Sequence, residues 1–287
     1  MTESVVDTSY EPFSREPEYL ELNRAFLRSL GLERPRRIVD VACGTGTLMA
    51  LLLTDLTQQD ASGAKVQAIG VDLSRTSLMI GLRELAADAG RLSLIEASGD
   101  CLPIRSAWAD IVLLGNAIHC FPDLTALLAE VRRVLRPGGV FAFNSSFYAG
   151  TFLPGTEHFY TEWLKEALAV IERKNLHLRQ EGKPAVVRTR GHGRVAFSRP
   201  WLSATQYTQA LEQTGFTVHR LSERMLAMTR RNFETVGAYE GLAAVLLSGF
   251  PVGPAARALM EAAGPAMASV GMTTVPRNWL EVSVIRC

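Results

Sequence analysis

Asp40, Asp72, Asp100 and His119 each follow an apolar run, and they are the residues through which this chain could do chemistry. Asp40 lies in RIVDVACGTGTLMALLL, residues 37–53. That stretch reads as an apolar strand from Ile38 to Ala42, a glycine turn at Gly44-Thr45-Gly46, and a helix from Thr47. Such a junction gathers backbone amides and a helix N-terminus at one point, where a small ligand can dock. A dinucleotide loop would read G-x-G-x-x-G, but the third glycine position is Met49. A carboxylate beside the turn would also repel a pyrophosphate. The arrangement suits a ligand that brings its own positive charge.

The elements that must position these residues follow an alternating pattern. Pro17 to Leu30 carries Tyr19, Leu22, Phe26, Leu27 and Leu30 at helical spacing and stops at Gly31, while residues 1–16 read as irregular. A polar loop, Gln59 to Lys65, leads to a second strand, Val66 to Val71, that ends in Asp72. A helix over Ser74 to Ala89 follows, with Ser74 as N-cap. Then come strands at Leu92 to Glu96, Ile111 to Leu114 and Val140 to Asn144, with an amphipathic helix from Asp123 to Leu135 before the last. Strands alternating with helices predict right-handed βαβ units and a doubly wound, mainly parallel α/β sheet. After Gly150 the rhythm breaks. Glu157 to Leu178 reads as a long helix, and residues 181–200 as a basic loop or hairpin. Ser203 to Thr214 (helix), Phe216 to Leu221 (strand) and Trp279 to Arg286 (strand) resume the sheet pattern. Residues 232–270 predict two short helices around GFPVGP.

Composition narrows the classes. The net charge of +1 argues against a general polyanion binder, although residues 1–150 carry 14 Lys/Arg against 18 Asp/Glu and residues 151–287 carry 16 against 11. Cys43, Cys101, Cys120 and Cys287 show no metal or disulfide spacing, which points to a reduced compartment. The opening MTESVVDTSYEPF lacks the basic start and apolar stretch of a signal peptide. The apolar run Gly241 to Ala256 is too short to span a bilayer and is broken by Pro251 and Pro254. A cytoplasmic protein is expected.

The pattern D-x-x-x-G-x-G from Asp40 to Gly46 resembles motif I of the class I S-adenosylmethionine (SAM)-dependent methyltransferases. The resemblance extends over residues 35–145, 203–221 and 279–286, and is closest to the small-molecule group that includes the ubiquinone/menaquinone biosynthesis C-methyltransferases. Gly70-Val71-Asp72-Leu73-Ser74 looks like that family's second motif, whose acid accepts both ribose hydroxyls; a carboxylate's two oxygens allow this. Gly99-Asp100 matches the position of an acid that accepts from the adenine amine, with Cys101 and Leu102 beside the ring. Leu135 to Val140 (LRPGGV) resembles the turn into the family's fifth strand. The resemblance implies a seven-stranded Rossmann-like sheet, SAM as cofactor and S-adenosylhomocysteine as product. Its cofactor residues fall on Asp40, Ala42, Gly44, Gly46, Asp72, Leu73, Asp100, Cys101 and Asn116. Each motif also has a plain structural reading: Asp72 as a helix cap, Asp100 as a loop acid, the glycines as turn formers.

The exit of the fourth strand reads Gly115-Asn116-Ala117-Ile118-His119-Cys120-Phe121. It lacks the N/D-P-P-Y/F/W motif of methyltransferases that act on base amines or glutamine. His119 matches a histidine frequent in the small-molecule group. An ordinary imidazole titrates near pH 6.5, at about the right place to take a proton from a phenol or an enolisable carbon. It could equally cap the next helix or shape the pocket. Phe147 and Tyr148, after the fifth strand, are candidate substrate walls or plain packing, and Tyr10, Phe13 and Tyr19 fall where relatives fold a segment over the cofactor.

The expected organisation is an N-terminal helical lid (1–34), a SAM-binding core (35–149), an inserted lid (150–202), a core helix and strand (203–231), a helical lid (232–276) and a last core strand (277–287). The cationic residues Arg173, Lys174, Arg179, Lys183, Arg188, Arg190, Arg194 and Arg199, with His177 and His192, read as a solvated face or an anion site. The expected activity is methyl transfer to a mostly apolar small molecule that can carry an anion, with no nucleic-acid partner and with homodimerisation open. The alternatives are a cyclase or decarboxylase that holds SAM without consuming it and, ranked below it, a nucleic-acid methyltransferase.

Overall fold

The computed structural model describes residues 7, 9–32, 35–59, 66–189 and 200–287. They fall into two compact units. The sheet unit comprises 17–151, 201–224 and 279–287; the helical unit comprises 1–16, 152–200 and 225–278.

The strands are β1 (Arg37–Val41), β2 (Gln67–Asp72), β3 (Leu92–Glu96), β4 (Ala109–Gly115), β5 (Leu135–Ser145), β6 (Phe216–Thr229) and β7 (Thr274–Arg286). They form one seven-stranded sheet in the order β3-β2-β1-β4-β5-β7-β6. β1 is parallel to β2 and β4, β2 to β3, and β4 to β5, whereas β7 runs antiparallel to β5. The order reverses at β1, which puts the ends of β1 and β4 side by side at the switch point where such sheets bind ligands.

Strand alternation explains why both sheet faces are buried. On β4, Val112 and Leu114 join one core cluster, Ile111 and Leu113 the other; Phe141 and Phe143 of β5 join the first, Ala142 the second. Apolar residues at every position are what a central parallel strand requires. The first cluster is capped by α5 (Leu124–Val134) through Leu127, Leu128, Val131 and Val134, and by α7 (Ala204–Gln213) through Tyr207 and Leu211. The second is capped by α2 (Pro17–Ser29) and α3 (Thr47–Gln59), with Phe26, Leu27, Met49, Leu52 and Leu53 at its centre. The remaining helix of the sheet unit, α4 (Arg75–Glu84), starts where expected: Ser74 accepts from the Ser77 amide as its N-cap.

The helical unit contains α1 (Glu11–Ser14), α6 (Glu157–Gln180), α8 (Arg230–Ala238), α9 (Glu240–Leu246) and α10 (Val252–Ser269). Its centre is an aromatic knot in which Phe159 packs 4.5 Å from Phe233 and Trp163 donates to the Leu259 carbonyl at 2.8 Å.

Five sequence expectations need correction. Residues 1–16 are not wholly irregular, since α1 forms a single turn there. Three helices, not two, occupy 230–269, and the last runs 18 residues. Pro251 and Pro254 look like breaks, but they sit at the N-cap and in the first turn of α10, where a missing N–H costs nothing. β6 continues past Leu221 because Arg224 is neutralised by the buried Glu281 at 2.6 Å and Glu223 accepts from the Tyr148 hydroxyl at 2.8 Å. β7 likewise begins at Thr274, before Trp279. Residues 60–65 and 190–199, which hold most of the Gln59–Lys65 loop and half of the 181–200 segment, lie outside the described residues; 183–189 have no regular structure.

A chain of buried amides ties α2 to the sheet. Asn23 Nδ2 donates to the Tyr19 carbonyl at 2.8 Å, Asn144 Nδ2 to Asn23 Oδ1 at 2.9 Å, and the Asn116 amide to Asn144 Oδ1 at 3.0 Å. Asn144→Ala removes both side-chain bonds and strands Asn23 Oδ1 in the core, while the Asn116 amide keeps the Asn144 carbonyl. It should lower stability by about 1–3 kcal/mol in urea unfolding.

Candidate functional site

The candidate residues sit on the loops that leave the carboxyl ends of β1, β2, β3 and β4. After β1 the backbone turns through left-handed conformations at Ala42 (φ 54°), Gly44 (φ 55°) and Gly46 (φ 86°). Ala42 is unusual, since a Cβ in this region costs about 1 kcal/mol. At Gly46 a side chain would also strike Leu85, 2.5 Å from where its Cβ would lie. The space over Gly44 is open, with nothing within 4 Å of a would-be Cβ. The turn is closed by the Gly46 amide on the Cys43 carbonyl at 2.8 Å, and the Ala50 amide on the Gly46 carbonyl starts the helix ladder.

Asp72 holds this turn in place. Its Oδ2 accepts from the Gly44 amide at 2.8 Å and its Oδ1 from the Ser74 amide at 2.7 Å, which joins the loops after β1 and β2. Each oxygen retains a second lone pair. Next to it Leu73 is 71% exposed, a large apolar side chain left on the surface at the strand's tip.

Asp40 is in a different situation. It is 1% exposed, and neither carboxylate oxygen has a hydrogen-bond partner. Burial, reinforced by the charge of Asp72, pushes its pKa up to about 8, with the Met49 backbone working the other way. An uncompensated buried carboxylate is costly, so the group takes up a proton or a cation.

The Asp100 turn is set by two residues the sequence reading missed. Glu130 of α5 accepts from the Leu102 amide at 2.8 Å, and Arg133 donates to the carbonyls of Leu102 and Ile104 at 2.9 and 2.7 Å. Glu130 and Arg133 also pair with each other at 2.7 Å, three residues apart on the helix. That spacing is visible in the sequence; its target is not. Cys101 is exposed beside Asp100.

At the end of β4, Asn116 takes φ 49° and its Oδ1 accepts from the Ser146 amide at 2.7 Å, which locks the β4 exit to the β5 exit. This oxygen works inside the protein, so Asn116 shapes the edge from within. His119 follows in a 3₁₀ turn. Its ring lies 4.2 Å from Phe147 at 34°, and Nε2 lies 3.4 Å from the Cys120 sulfur. Burial and Asp72 push the Cys120 thiol up to about 11, so it stays protonated. Phe147 in turn packs edge-on against Trp201 at 5.6 Å.

The other candidates scatter. Tyr148 is 1% exposed within the sheet core, with its hydroxyl on Glu223. Tyr10 and Phe13 belong to the helical unit, where Tyr10 packs 5.2 Å from Tyr239. Tyr19 packs edge-on at 5.8 Å against Trp279. In the basic segment, Arg188 donates to the Ser248 carbonyl and His177 and Lys183 flank Glu181. Arg190, His192, Arg194 and Arg199 lie outside the described residues. Among the described residues no helix is long and apolar enough to cross a membrane.

A protein-family model described as "Methyltransferase domain" matches residues 39–143. The ubiquinone/menaquinone biosynthesis C-methyltransferase of Syntrophotalea carbinolica is 33% identical over 115 residues, 40% of this chain and 46% of that protein. The demethylmenaquinone methyltransferase of Geobacillus kaustophilus is 28% identical over 123 residues, 42% of this chain and 50% of that protein. The chain thus matches half or less of the length of these curated relatives. Among solved structures, a SAM-dependent methyltransferase from Aquifex aeolicus aligns with 98% of this chain and all of its own, at TM-score 0.52 and 13% identity. A geranyl diphosphate methyltransferase in complex with GPP and sinefungin aligns with 93% of this chain and 78% of its own, at 0.52 and 16%. The [4+2]-cyclase SpnF aligns with 93% and 81%, at 0.54 and 14%. At these identities the structural likeness speaks to the fold alone. Motif order, sheet topology and the matched family model agree in marking residues 39–143 as similar to a methyltransferase domain.

Proposed function

We propose that the chain binds SAM at the carboxyl edge of its parallel strands and methylates a mostly apolar small molecule bearing an anionic group, of the quinone-like or secondary-metabolite kind. The observation that carries this reading is Asp40: a buried carboxylate without a hydrogen-bond partner, beside a glycine turn with open space over Gly44. That donor set fits a cationic, nucleoside-bearing ligand. SAM would supply an activated methyl group on a sulfonium, so the protein's work is to bind, orient and exclude water. In this reading Asp40 faces the ligand's cationic end, partly through water. Gly44 lets the backbone approach. Asp72 offers its remaining lone pairs to the ribose diol, and Leu73 and Cys101 flank the adenine, whose amine donates to Asp100. His119, steadied by Phe147, takes the proton that the acceptor gives up. The quinone-like acceptor is supported by the names of the curated relatives. The cytoplasm is the compartment this reading implies.

Calorimetry with S-adenosylhomocysteine tests the cofactor site. Wild type should bind, and Asp72→Ala should lose roughly tenfold or more in affinity; unchanged binding would remove Asp72 from the site. A gain of one methylene in product mass supports transfer, whereas an isomer or loss of carbon dioxide would favour the cyclase or decarboxylase alternative.

Asp40 gives a pH signature. Its folded pKa, about 8, lies above the ordinary 3.8, so the folded protein keeps a proton that the unfolded chain has lost. Stability of the ligand-free protein should therefore fall as pH rises from about 4 to about 8, less steeply in Asp40→Asn. A cationic ligand favours the charged form, so wild-type affinity should rise across the same upper range with proton release. A flat profile would count against that role. His119→Ala should cut kcat by about 10²–10⁴ while leaving S-adenosylhomocysteine binding intact, if His119 is the base. Unchanged turnover would assign it to packing.

A further inference from the structure

The strongest feature outside this site is a stripe on the outer face of α6. Leu168, Glu172, Asn175 and Arg179 recur at spacings of four, three and four, which aligns them along one line of a helix. With Ile171, Leu176 and Phe250 they line a groove of about 270 Å³. Leu168 is 47% exposed, Leu176 55%, and the neighbouring Val187 60%. The groove wall is built rather than loose, since Asn175 both donates to and accepts from the Val186 backbone, at 2.9 and 2.7 Å. Arg188 then fastens to the Ser248 carbonyl at 2.8 Å, and Thr189 to that of Gly249 at 2.8 Å.

The charges on the stripe are unmatched among the described residues. Glu172 and Arg179 have no ion-pair partner among the described residues. They stand two helical turns apart, about 10.5 Å along the axis, too far to meet on their own helix. A second α6 laid antiparallel, with the two-fold axis between Asn175 and Leu176, would set each Glu172 opposite the other copy's Arg179. The same operation brings the two Leu176 side chains to the centre. This is the isologous, self-complementary pattern of a two-fold dimer, apolar in the middle and charged at the rim.

We propose that the α6 stripe is a homodimer interface, occupied by the same stripe of a second copy and held in register by two reciprocal Glu172–Arg179 pairs. The contact is modest, so the dimer should be of micromolar strength and weaken with added salt. The proposal is independent of the cofactor and the acceptor.

Sedimentation velocity on the full chain tests it, with circular dichroism to confirm that each exposed-site variant remains folded. Wild type should dimerise below about 100 µM. E172R and R179E should each weaken association roughly tenfold or more by setting like charges face to face, and the double variant E172R/R179E should recover wild-type association. A chain that stays monomeric throughout overturns the proposal. So does a dimer indifferent to both single reversals, or a double variant no better than the singles.

Discussion

One carboxylate holds the loops after β1 and β2 together. Asp72, at the tip of β2, accepts the Gly44 amide from one loop and the Ser74 amide from the next, so two parallel strands present their exits as a single surface. The charge that makes those bonds strong also raises the pKa of its buried neighbour Asp40. The two acids therefore divide the work. Asp72 accepts two backbone N–H bonds at the strand's tip. Asp40 is buried with neither oxygen bonded, and burial raises its pKa.

This division was half legible in the sequence. The strand–turn–helix around Asp40, the acid closing β2 and the apolar runs of β4 and β5 are local patterns, and local patterns carry their own evidence. That Asp40 is buried and its pKa raised could not be read, because burial depends on which helix covers the strand. α3 covers Asp40 on the face that Ile38 also occupies. The amide chain Asn23–Asn144–Asn116 was invisible for the same reason: its members lie up to 121 positions apart, and nothing about an asparagine announces its partner.

Where the sequence reading erred, a residue's usual meaning yielded to its context. Prolines at 251 and 254 signal interruption, yet they open α10. Arg224 suggests a loop, yet Glu281 lets it sit on a strand. Long-range pairing decided each case. Glu130 and Arg133 show the converse, for their helical spacing suggests an ordinary surface pair, while their second partners brace the Asp100 turn.

Two residues that are not glycine, Ala42 and Asn116, hold left-handed backbone at the ends of adjacent strands β1 and β4. Such positions tolerate few alternatives, and β-branched side chains least of all. The outline of the site is therefore written in backbone geometry rather than in side-chain chemistry. Neighbouring side chains such as His119, Cys120 and Phe147 are under no such restriction. Substitutions there can change the chemistry of this edge while the backbone beneath it stays fixed.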